Sequence, residues 1–417
     1  MKHWHHAAPV AVVAALMACG AAAQTAPAHW VGTWAAAPIA TFAPRPGQPG
    51  RAGRTFPGSV LNNQTVRMIV RTSLGGSAVR LRFSNAFGKQ AVTLGDVHVA
   101  LAGEGAAITD GSDHAVRFDG QARIVIPPGA DVLSDAVAMT VPPLTHLAVS
   151  VYVPVSSGPV TWHLLTNQTN YIAGDGDFAS QTAMPGAAPF GPWDFLTEVE
   201  VAAAPGSYAV VCLGDSITAG AHSTRNANND WTDIMADHLP GVGVLNEGIS
   251  GNRILHDDNG PNALARFPRD VLELAGVRDL IVFEGINDIA FPDGKTPSHR
   301  TQRVSPEEMT GALQQIVDRA HAHGIHVYGA TITPYIGQSA ETPRGEAERE
   351  AVNAWIRTPG HFDGVIDFDK VMRDPQHQDQ IRPGYGFSDH LHPSPAGYLA
   401  MGLEAAKVMA AAASKSD

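Results

Sequence analysis

A chain of 417 residues exceeds one typical hydrophobic core, since domains of about 100 to 200 residues are usual, and it predicts two domains. Apolar residues make up 44% of the chain and charged residues 16%, which excludes an intrinsically disordered protein. The formal net charge of -12 has the wrong sign for gripping a phosphate backbone, so we expect no nucleic-acid partner.

The segment 1–23 has the features of an export signal, with a positive start, an apolar run and small residues at 21–23. An alternative cleavage after Ala18 leaves Cys19 as the acylated N-terminus of a bacterial lipoprotein. The first alternative predicts a secreted or periplasmic protein, and the second predicts one with a lipid anchor at Cys19. No later segment has the roughly 20 unbroken apolar residues of a membrane-spanning helix.

Cysteine usage excludes an internal disulfide bond. Only Cys19 and Cys212 occur, and Cys19 is removed or modified under both alternatives. Cys212 lies in an apolar run, so we expect a buried structural thiol.

Residues 27–204 alternate between apolar and polar with a period of two, most clearly in Val79–Phe83 and Leu147–Val153. This alternation is typical of strands with one face on a core and the other in water, and glycine- and proline-rich turns separate the strands. We predict an all-β sandwich domain, jelly-roll-like, with a long surface loop over Pro44–Gly58.

Residues 205–417 change to short runs rich in valine and isoleucine, which are typical of buried parallel strands. These runs are Tyr208–Leu213, Val242–Leu245, Asp279–Phe283, Ile325–Thr331 and Val365–Phe368. Their alternation with helices predicts a three-layer α/β fold around a parallel sheet, in which sites form at the carboxyl ends of the strands.

Three helices have clear sequence signals. The first begins at the N-cap Ser305, has Glu308 to complete a capping box, and ends at Gly324. The second covers about Glu346–Arg357, and the third begins at about Pro395. We expect the third helix to bury Leu399, Leu403 and Ala406.

Three polar blocks follow the predicted strands. Ser216, in Gly-Asp-Ser, stands on a tight turn at the head of a helix, a position that suits a nucleophile. Gly251 offers a backbone N–H to a developing oxyanion, and Asn287 offers a side-chain amide. Each block also has a structural interpretation: an N-cap serine, a turn glycine or an Asx-turn.

A fourth block, Ser388–Pro393, precedes the last helix. Asp389 and His392 are three residues apart, so a turn brings the carboxylate onto the imidazole and leaves the other ring nitrogen for Ser216. With His390, the same stretch also has the form of a metal site, but no second ligand cluster accompanies it. We therefore predict no metal.

Taken together, the four blocks resemble the SGNH, or GDSL-type, hydrolase family from about Ser207 to the C-terminus. The resemblance implies a flavodoxin-like α/β/α catalytic domain and a serine carboxylesterase that works through an acyl-enzyme without a cofactor. Glu284 stands where many family members have a neutral residue, which suggests an influence on the substrate.

The resemblance also implies a role for each residue. Ser216 attacks the ester, and His392 acts first as base and then as acid, oriented by Asp389. The oxyanion hole consists of the N–H groups of Ser216 and Gly251 and the side chain of Asn287.

The family includes esterases, lipases, thioesterases and polysaccharide deacetylases, so the reaction is better defined than the substrate. We expect O-acetylated poly- or oligosaccharide as the favoured substrate. Alternatives are short-chain acyl esters without sugar preference, and a carbohydrate-binding protein that has lost activity. Aromatic residues of the sandwich that offer stacking faces, or instead fill its core, are Trp30, Trp34, Trp162, Tyr171 and Trp193.

Overall fold

The computed structural model describes residues 1, 28–41, 58–164, 166–291 and 302–416. Apart from its first residue, the predicted export signal lies outside these ranges, as do Cys19 and all but the last residue of the predicted loop Pro44–Gly58. Within them, no helix is both long enough and apolar enough to cross a membrane.

The N-terminal region is built from antiparallel strands. In chain order these are β1 (Trp30–Ala35), β2 (Ile39–Ala40), β3 (Gln64–Arg71), β4 (Val79–Ser84), β5 (Val92–Leu94), β6 (Asp96–Leu101), β7 (His114–Ala115), β8 (Ile124–Ile126), β9 (Asp131–Leu133), β10 (His146–Val153), β11 (Thr161–His163), β12 (Asn170–Asp175), β13 (Ala188–Phe190), β14 (Trp193–Asp194) and β15 (Leu196–Ala202).

Two large sheets form the predicted sandwich, with strand orders β1-β15-β4-β9 and β13-β12-β3-β10-β6-β7. Smaller sheets, β14-β11-β2 and β5-β8, flank them. Apolar side chains of both large sheets belong to one buried cluster, which includes Leu81 of β4 and Val149 of β10. The prediction of an all-β sandwich is therefore confirmed.

Strand β10 departs from the expected exposure of alternate residues. Ala148 and Ser150, predicted to face water, are as buried as their apolar neighbours. Ala148 packs in a second cluster with Ile69, and Ser150 accepts a 2.8 Å hydrogen bond from Nε of Arg67. The outer face of this sheet is covered by loops, because Arg67 donates to several of their carbonyl oxygens, including that of Gln181 at 2.8 Å.

The C-terminal region alternates strands with helices. Its strands are β16 (Tyr208–Gly214), β17 (Val242–Gly248), β18 (Val277–Phe283), β19 (His326–Ala330) and β20 (Gly364–Ile366). Its helices are α1 (Trp231–Asp237), α2 (Ala263–Phe267), α3 (Ile286–Ala290), α4 (Pro306–His321), α5 (Pro343–Arg357), α6 (Phe368–Met372) and α7 (Pro395–Ser416), with a π-helical turn at Pro268–Leu272.

All five of these strands are parallel, in the order β17-β16-β18-β19-β20. This is the flavodoxin-like order, in which the chain reverses direction across the sheet beside β16. Along β16, Val210 and Cys212 pack in the same cluster as α1, α6 and α7, whereas Val211 and Leu213 face the opposite cluster, which contains α4 and α5. The three-layer prediction is confirmed, and burial raises the pKa of the structural thiol Cys212.

The first two helix predictions hold. Helix α4 has the predicted capping box between Ser305 and Glu308, and Gly324 follows its end with a left-handed φ of +73°. Helix α5 begins earlier than predicted, because the side chain of Thr342 caps it and Pro343 occupies its first turn.

The predicted buried face of α7 is wrong for two of three residues. Leu399 and Leu403 are 48% and 42% exposed, whereas Ala406 is buried. The core instead receives Tyr398 and Met401. Because this helix is apolar on most of its circumference, its sequence does not show which side packs inward.

The two regions meet along an edge of the parallel sheet. Ala36, just after β1, forms a parallel bridge with Asn246 of β17. A Cβ atom on Gly243 would lie 2.0 Å from the carbonyl oxygen of Gly32, so these backbones approach too closely for any side chain. The sandwich is thus packed directly against the strand that leads into the second polar block.

Candidate active site

Ser216 follows β16 at the carboxyl end of the sheet and is 5% exposed. The predicted helix does not begin here. One helical turn forms, in which the N–H of Ala219 donates to the carbonyl of Asp215 at 2.9 Å. Gly220 and His222 then adopt left-handed φ values of +80° and +66°, which a continuing α-helix does not allow.

The structure brings Ser216, His392 and Asp389 into one hydrogen-bonded chain. The Ser216 hydroxyl lies 2.8 Å from Nε2 of His392, and Nδ1 of the same ring lies 2.5 Å from Oδ2 of Asp389. The second carboxylate oxygen of Asp389 accepts the backbone N–H groups of Leu391 at 3.1 Å and His392 at 3.0 Å. The imidazole can therefore take a proton from the serine while the carboxylate fixes its orientation.

The environment of Asp389 keeps its carboxylate ionised. Partial burial raises its pKa, but the hydrogen bonds from the ring and the backbone of His392 outweigh burial and hold the pKa well below its ordinary value. A carboxylate that stays charged stabilises the imidazolium formed when His392 accepts a proton.

Each of the three predicted oxyanion donors keeps at least one hydrogen without an acceptor among the described residues. The backbone N–H groups of Ser216 and Gly251 have no hydrogen-bond acceptor within the described part of the chain. Gly251 has a φ of +78°, which only glycine adopts freely. The Asn287 amide donates one hydrogen to the carbonyl of Asn252 at 3.0 Å, which orients it and leaves the second hydrogen for a ligand.

The second polar block is tied to the nucleophile turn through Asn246. Its side-chain amide donates to the carbonyl of Thr218 at 2.7 Å and to the hydroxyl of Thr232 at 2.9 Å. The positions of Ser216 and of the Gly251 loop are therefore coupled by a side chain of β17.

Glu284 does not line the surface of the site. It is 2% exposed and lies 3.5 Å from the guanidinium of Arg266. Burial, together with the neighbouring Asp215, raises its pKa well above the ordinary value. Burial also raises the pKa of Asp215 to about 6. Any effect of Glu284 on the substrate is indirect.

One group of described residues has metal-ligand spacing. Atoms of His222, Asp389 and His392 lie within 4.8 Å of one another. The predicted alternative ligand His390 does not belong to this group. Two of the three residues form the chain to Ser216, so a metal bound here would occupy the base itself.

A cleft of about 790 Å³, including its open mouth, lies where the sandwich meets the turn after Ser216. Its walls carry Trp34 and Trp193, whose rings meet edge to face at 4.9 Å, and polar side chains that include Asn167 and Thr224. Of the other predicted aromatic residues, Trp162 is buried in the core.

Residues 212–400 match the family model of the GDSL-like lipase/acylhydrolase family. The chain carries a GDSL-like acylhydrolase domain. It is a serine carboxylesterase of this type, as the resemblance implied. None of the curated proteins matched the chain.

Several solved structures are similar to parts of this acylhydrolase. A GDSL-like lipase from Bacteroides thetaiotaomicron has 22% identity over 50% of this chain and 89% of its own, with a TM-score of 0.35. Est24, a carbohydrate acetylesterase from Sinorhizobium meliloti, has 18% identity over 49% of this chain and 99% of its own, with a TM-score of 0.38. An aryl esterase from M. smegmatis has 17% identity over 49% and 99%, with a TM-score of 0.39.

Sequence reasoning missed two residues of this acylhydrolase site. His222 places Nε2 3.5 Å from Oδ2 of Asp389, and Arg266 contacts the ends of two strands that carry the polar blocks. The sequence gave no reason to single out His222, because a histidine in a polar loop is not distinctive of a catalytic site. Arg266 gave no sequence signal either, because its neighbours in α2 include the exposed Ala265 and show no uniformly buried pattern.

Proposed function

We propose that Ser216 is the nucleophile, that His392 is the general base and acid, and that Asp389 orients the imidazole. The observation that carries this assignment is the continuous chain from Ser216 through His392 to Asp389, at 2.8 Å and 2.5 Å. The same chain argues against a carbohydrate-binding protein without activity, because binding alone requires no such alignment.

In the proposed reaction the Ser216 oxygen attacks the ester carbonyl carbon while its proton moves to Nε2 of His392. The N–H groups of Ser216 and Gly251 and the Asn287 amide stabilise the oxyanion. The C–O bond then breaks, and the alcohol leaves with the proton from His392. In the second half of the reaction, His392 takes a proton from a water molecule, whose oxygen attacks the acyl-enzyme carbonyl carbon. The bond to the Ser216 oxygen then breaks, Ser216 regains its proton from His392, and the carboxylic acid is released. The scheme requires no cofactor.

For the substrate, we propose an O-acetyl group on a poly- or oligosaccharide. We also propose that the enzyme acts on it outside the cytoplasm. The sequence features of segment 1–23 support export or, with Cys19 acylated, a lipid anchor. The cleft beside the turn after Ser216 supports a sugar, because the partly exposed Trp193 offers a stacking surface among polar groups, while the buried Trp34 packs behind it. A short-chain esterase without sugar preference is the alternative, and no nucleic acid is expected as a partner.

Replacement of the nucleophile tests the mechanism. The Ser216→Ala protein should keep its melting temperature and lose hydrolysis of an aryl acetate. Full activity in the folded variant would refute the serine mechanism.

A substrate panel separates the two substrate classes. Acetate release from O-acetylated xylan and O-acetylated xylo-oligosaccharides is compared with hydrolysis of aryl esters of rising acyl length. A sugar-directed enzyme favours the glycans by kcat/KM and loses this preference in Trp193→Ala. Equal preference in both proteins would favour the general esterase.

A further inference from the structure

Arg266 of α2 is 1% exposed, and its guanidinium makes contacts in several directions. Nε donates to Oδ1 of Asn252 at 2.9 Å, and Nη2 donates to the carbonyl of Gly214 at 3.0 Å. Nη1 donates to the carbonyl of Glu247 at 2.7 Å and to Oδ2 of Asp270 at 3.1 Å. A buried guanidinium with this many hydrogen bonds restricts the movement of each backbone carbonyl and side chain that accepts from it.

The partners share a place in the proposed machinery. Gly214 ends β16, two residues before Ser216, and Glu247 lies in β17, four residues before Gly251. Asn252 directly follows Gly251, and its carbonyl accepts the Asn287 amide at 3.0 Å. One side chain therefore joins the nucleophile strand to the loop that carries the Gly251 N–H and the carbonyl of Asn252, which holds the amide of Asn287.

We infer that Arg266 is a positioning residue that holds Asn252, and through it Gly251 and Asn287, in the geometry that stabilises the oxyanion. The inference rests on the proposed serine mechanism. Arg266 acts through Asn252 and does not contact the ester.

The charge of Arg266 is balanced locally, which favours a geometric role over a direct electrostatic one. The carboxylate of Asp270, which is also buried, lies 3.1 Å from the guanidinium. The planar fork of arginine reaches Asn252, Glu247 and Gly214 at once, and the single ammonium of lysine cannot. Arg266→Lys therefore keeps the charge and removes the fork.

Arg349 of α5 provides a matched control, because it is 2% exposed and is also held by carboxylates and a carbonyl. Its Nη1 donates to Asp369 at 2.8 Å and to the carbonyl of Ile332 at 3.0 Å. Among the described residues, Arg349 makes no hydrogen bond to Asn252 or to either strand end that Arg266 joins. A purely structural role predicts the same behaviour for both arginine-to-lysine variants.

The experiment measures kcat and KM for an aryl acetate, the inhibition constant of a trifluoromethyl ketone, and the melting temperature. A trifluoromethyl ketone that adds to the serine forms a tetrahedral oxyanion, so its affinity reports on the oxyanion donors. In Arg266→Lys, kcat should fall by about ten- to a hundredfold with KM within about twofold, and the inhibition constant should rise in parallel. Arg349→Lys should lose melting temperature and keep kcat.

Asn252→Ala provides a second route, because it removes the acceptor of Nε and leaves the other contacts of Arg266 in place. It should show the same fall in kcat and the same weaker inhibition. Wild-type kcat in either folded variant, or an equal fall in Arg349→Lys, would overturn the inference. If those results occur while Ser216→Ala is inactive, only the role of Arg266 fails; an active Ser216→Ala protein would refute the proposed function itself.

Discussion

The imidazole of His222 lies flat against the ring of Phe387, with centroids 4.0 Å apart and planes inclined by 12°. This stacking places Nε2 of His222 3.5 Å from Oδ2 of Asp389 and the ring edge-on to His392 at 5.1 Å. Two histidines therefore approach one carboxylate, but only His392 is within good hydrogen-bonding distance of it.

The length of this contact predicts a small role for His222. His222→Phe keeps the stacking and removes the ring nitrogen, and kcat should fall by about two- to fivefold, because a long, half-exposed contact contributes at most about 1 kcal/mol. Asp389→Asn provides the scale, since loss of the orienting carboxylate costs about ten-thousandfold in a related triad. A His222→Phe protein as inactive as Asp389→Asn would make His222 part of the machinery.

The role of Asn287 is tested by truncation. Asn287→Ala removes one donor to the oxyanion, so kcat should fall about a hundred- to a thousandfold with little change in KM. Asn353→Ala is the matched control, because Asn353 is also buried and its amide donates to the carbonyl of Ile332 at 2.8 Å. The control should lose stability and keep its rate. An unchanged kcat in Asn287→Ala would leave Asn287 with only a structural role in α3.

Three of the four polar blocks follow parallel strands, whose carboxyl ends meet at one edge of the sheet. This rule places Ser216, Gly251 and Asn287 at that edge, whereas their roles came from the resemblance to the hydrolase family. Arg266 could not be found from the sequence, because its role depends on three carbonyl or amide oxygens from distant segments. The prediction of the buried face of α7 was wrong for another reason. Leu399 and Tyr398 are neighbours and are both apolar enough to pack inward, so the sequence alone does not distinguish them.

Burial of Asp215 predicts a pH dependence of stability. Its folded pKa is raised to about 6, so between about pH 4 and 6 the folded state holds a proton that the unfolded state has lost. This contribution is full below about pH 4 and disappears as the pH rises through 6. Asp389 acts oppositely and at lower pH, since its folded pKa is depressed.

Asp215→Asn isolates this contribution, because an amide oxygen can still accept the N–H of Ile217, which Asp215 accepts at 2.9 Å. The unfolding free energy of the wild type should fall by on the order of 1–3 kcal/mol more than that of the variant between pH 4 and 7. Chemical denaturation at a series of pH values measures the difference. Parallel curves for the two proteins would contradict a raised pKa.

Gly251 is tested by adding a single methyl group. A Cβ atom there would lie 2.6 Å from the Asn259 amide, and the backbone has a φ of +78°. Gly251→Ala should therefore shift the oxyanion N–H and lower kcat by about tenfold or more, in addition to losing about 1 kcal/mol of stability to backbone strain. Gly241→Ala controls for strain alone, because Gly241 has a φ of +82° and no atom within 4 Å of an added Cβ.

The double variant Gly251→Ala/Asn259→Ala separates collision from strain. Removing the Asn259 amide opens the space that the new methyl group needs, so part of the lost kcat should return while the strain remains. Gly241→Ala should lose a similar amount of unfolding free energy and keep its kcat, because Gly251 is the one of these two glycines with a proposed oxyanion donor. If Gly251→Ala instead matched Gly241→Ala in both kcat and melting temperature, the N–H of Gly251 would have no part in stabilising the oxyanion.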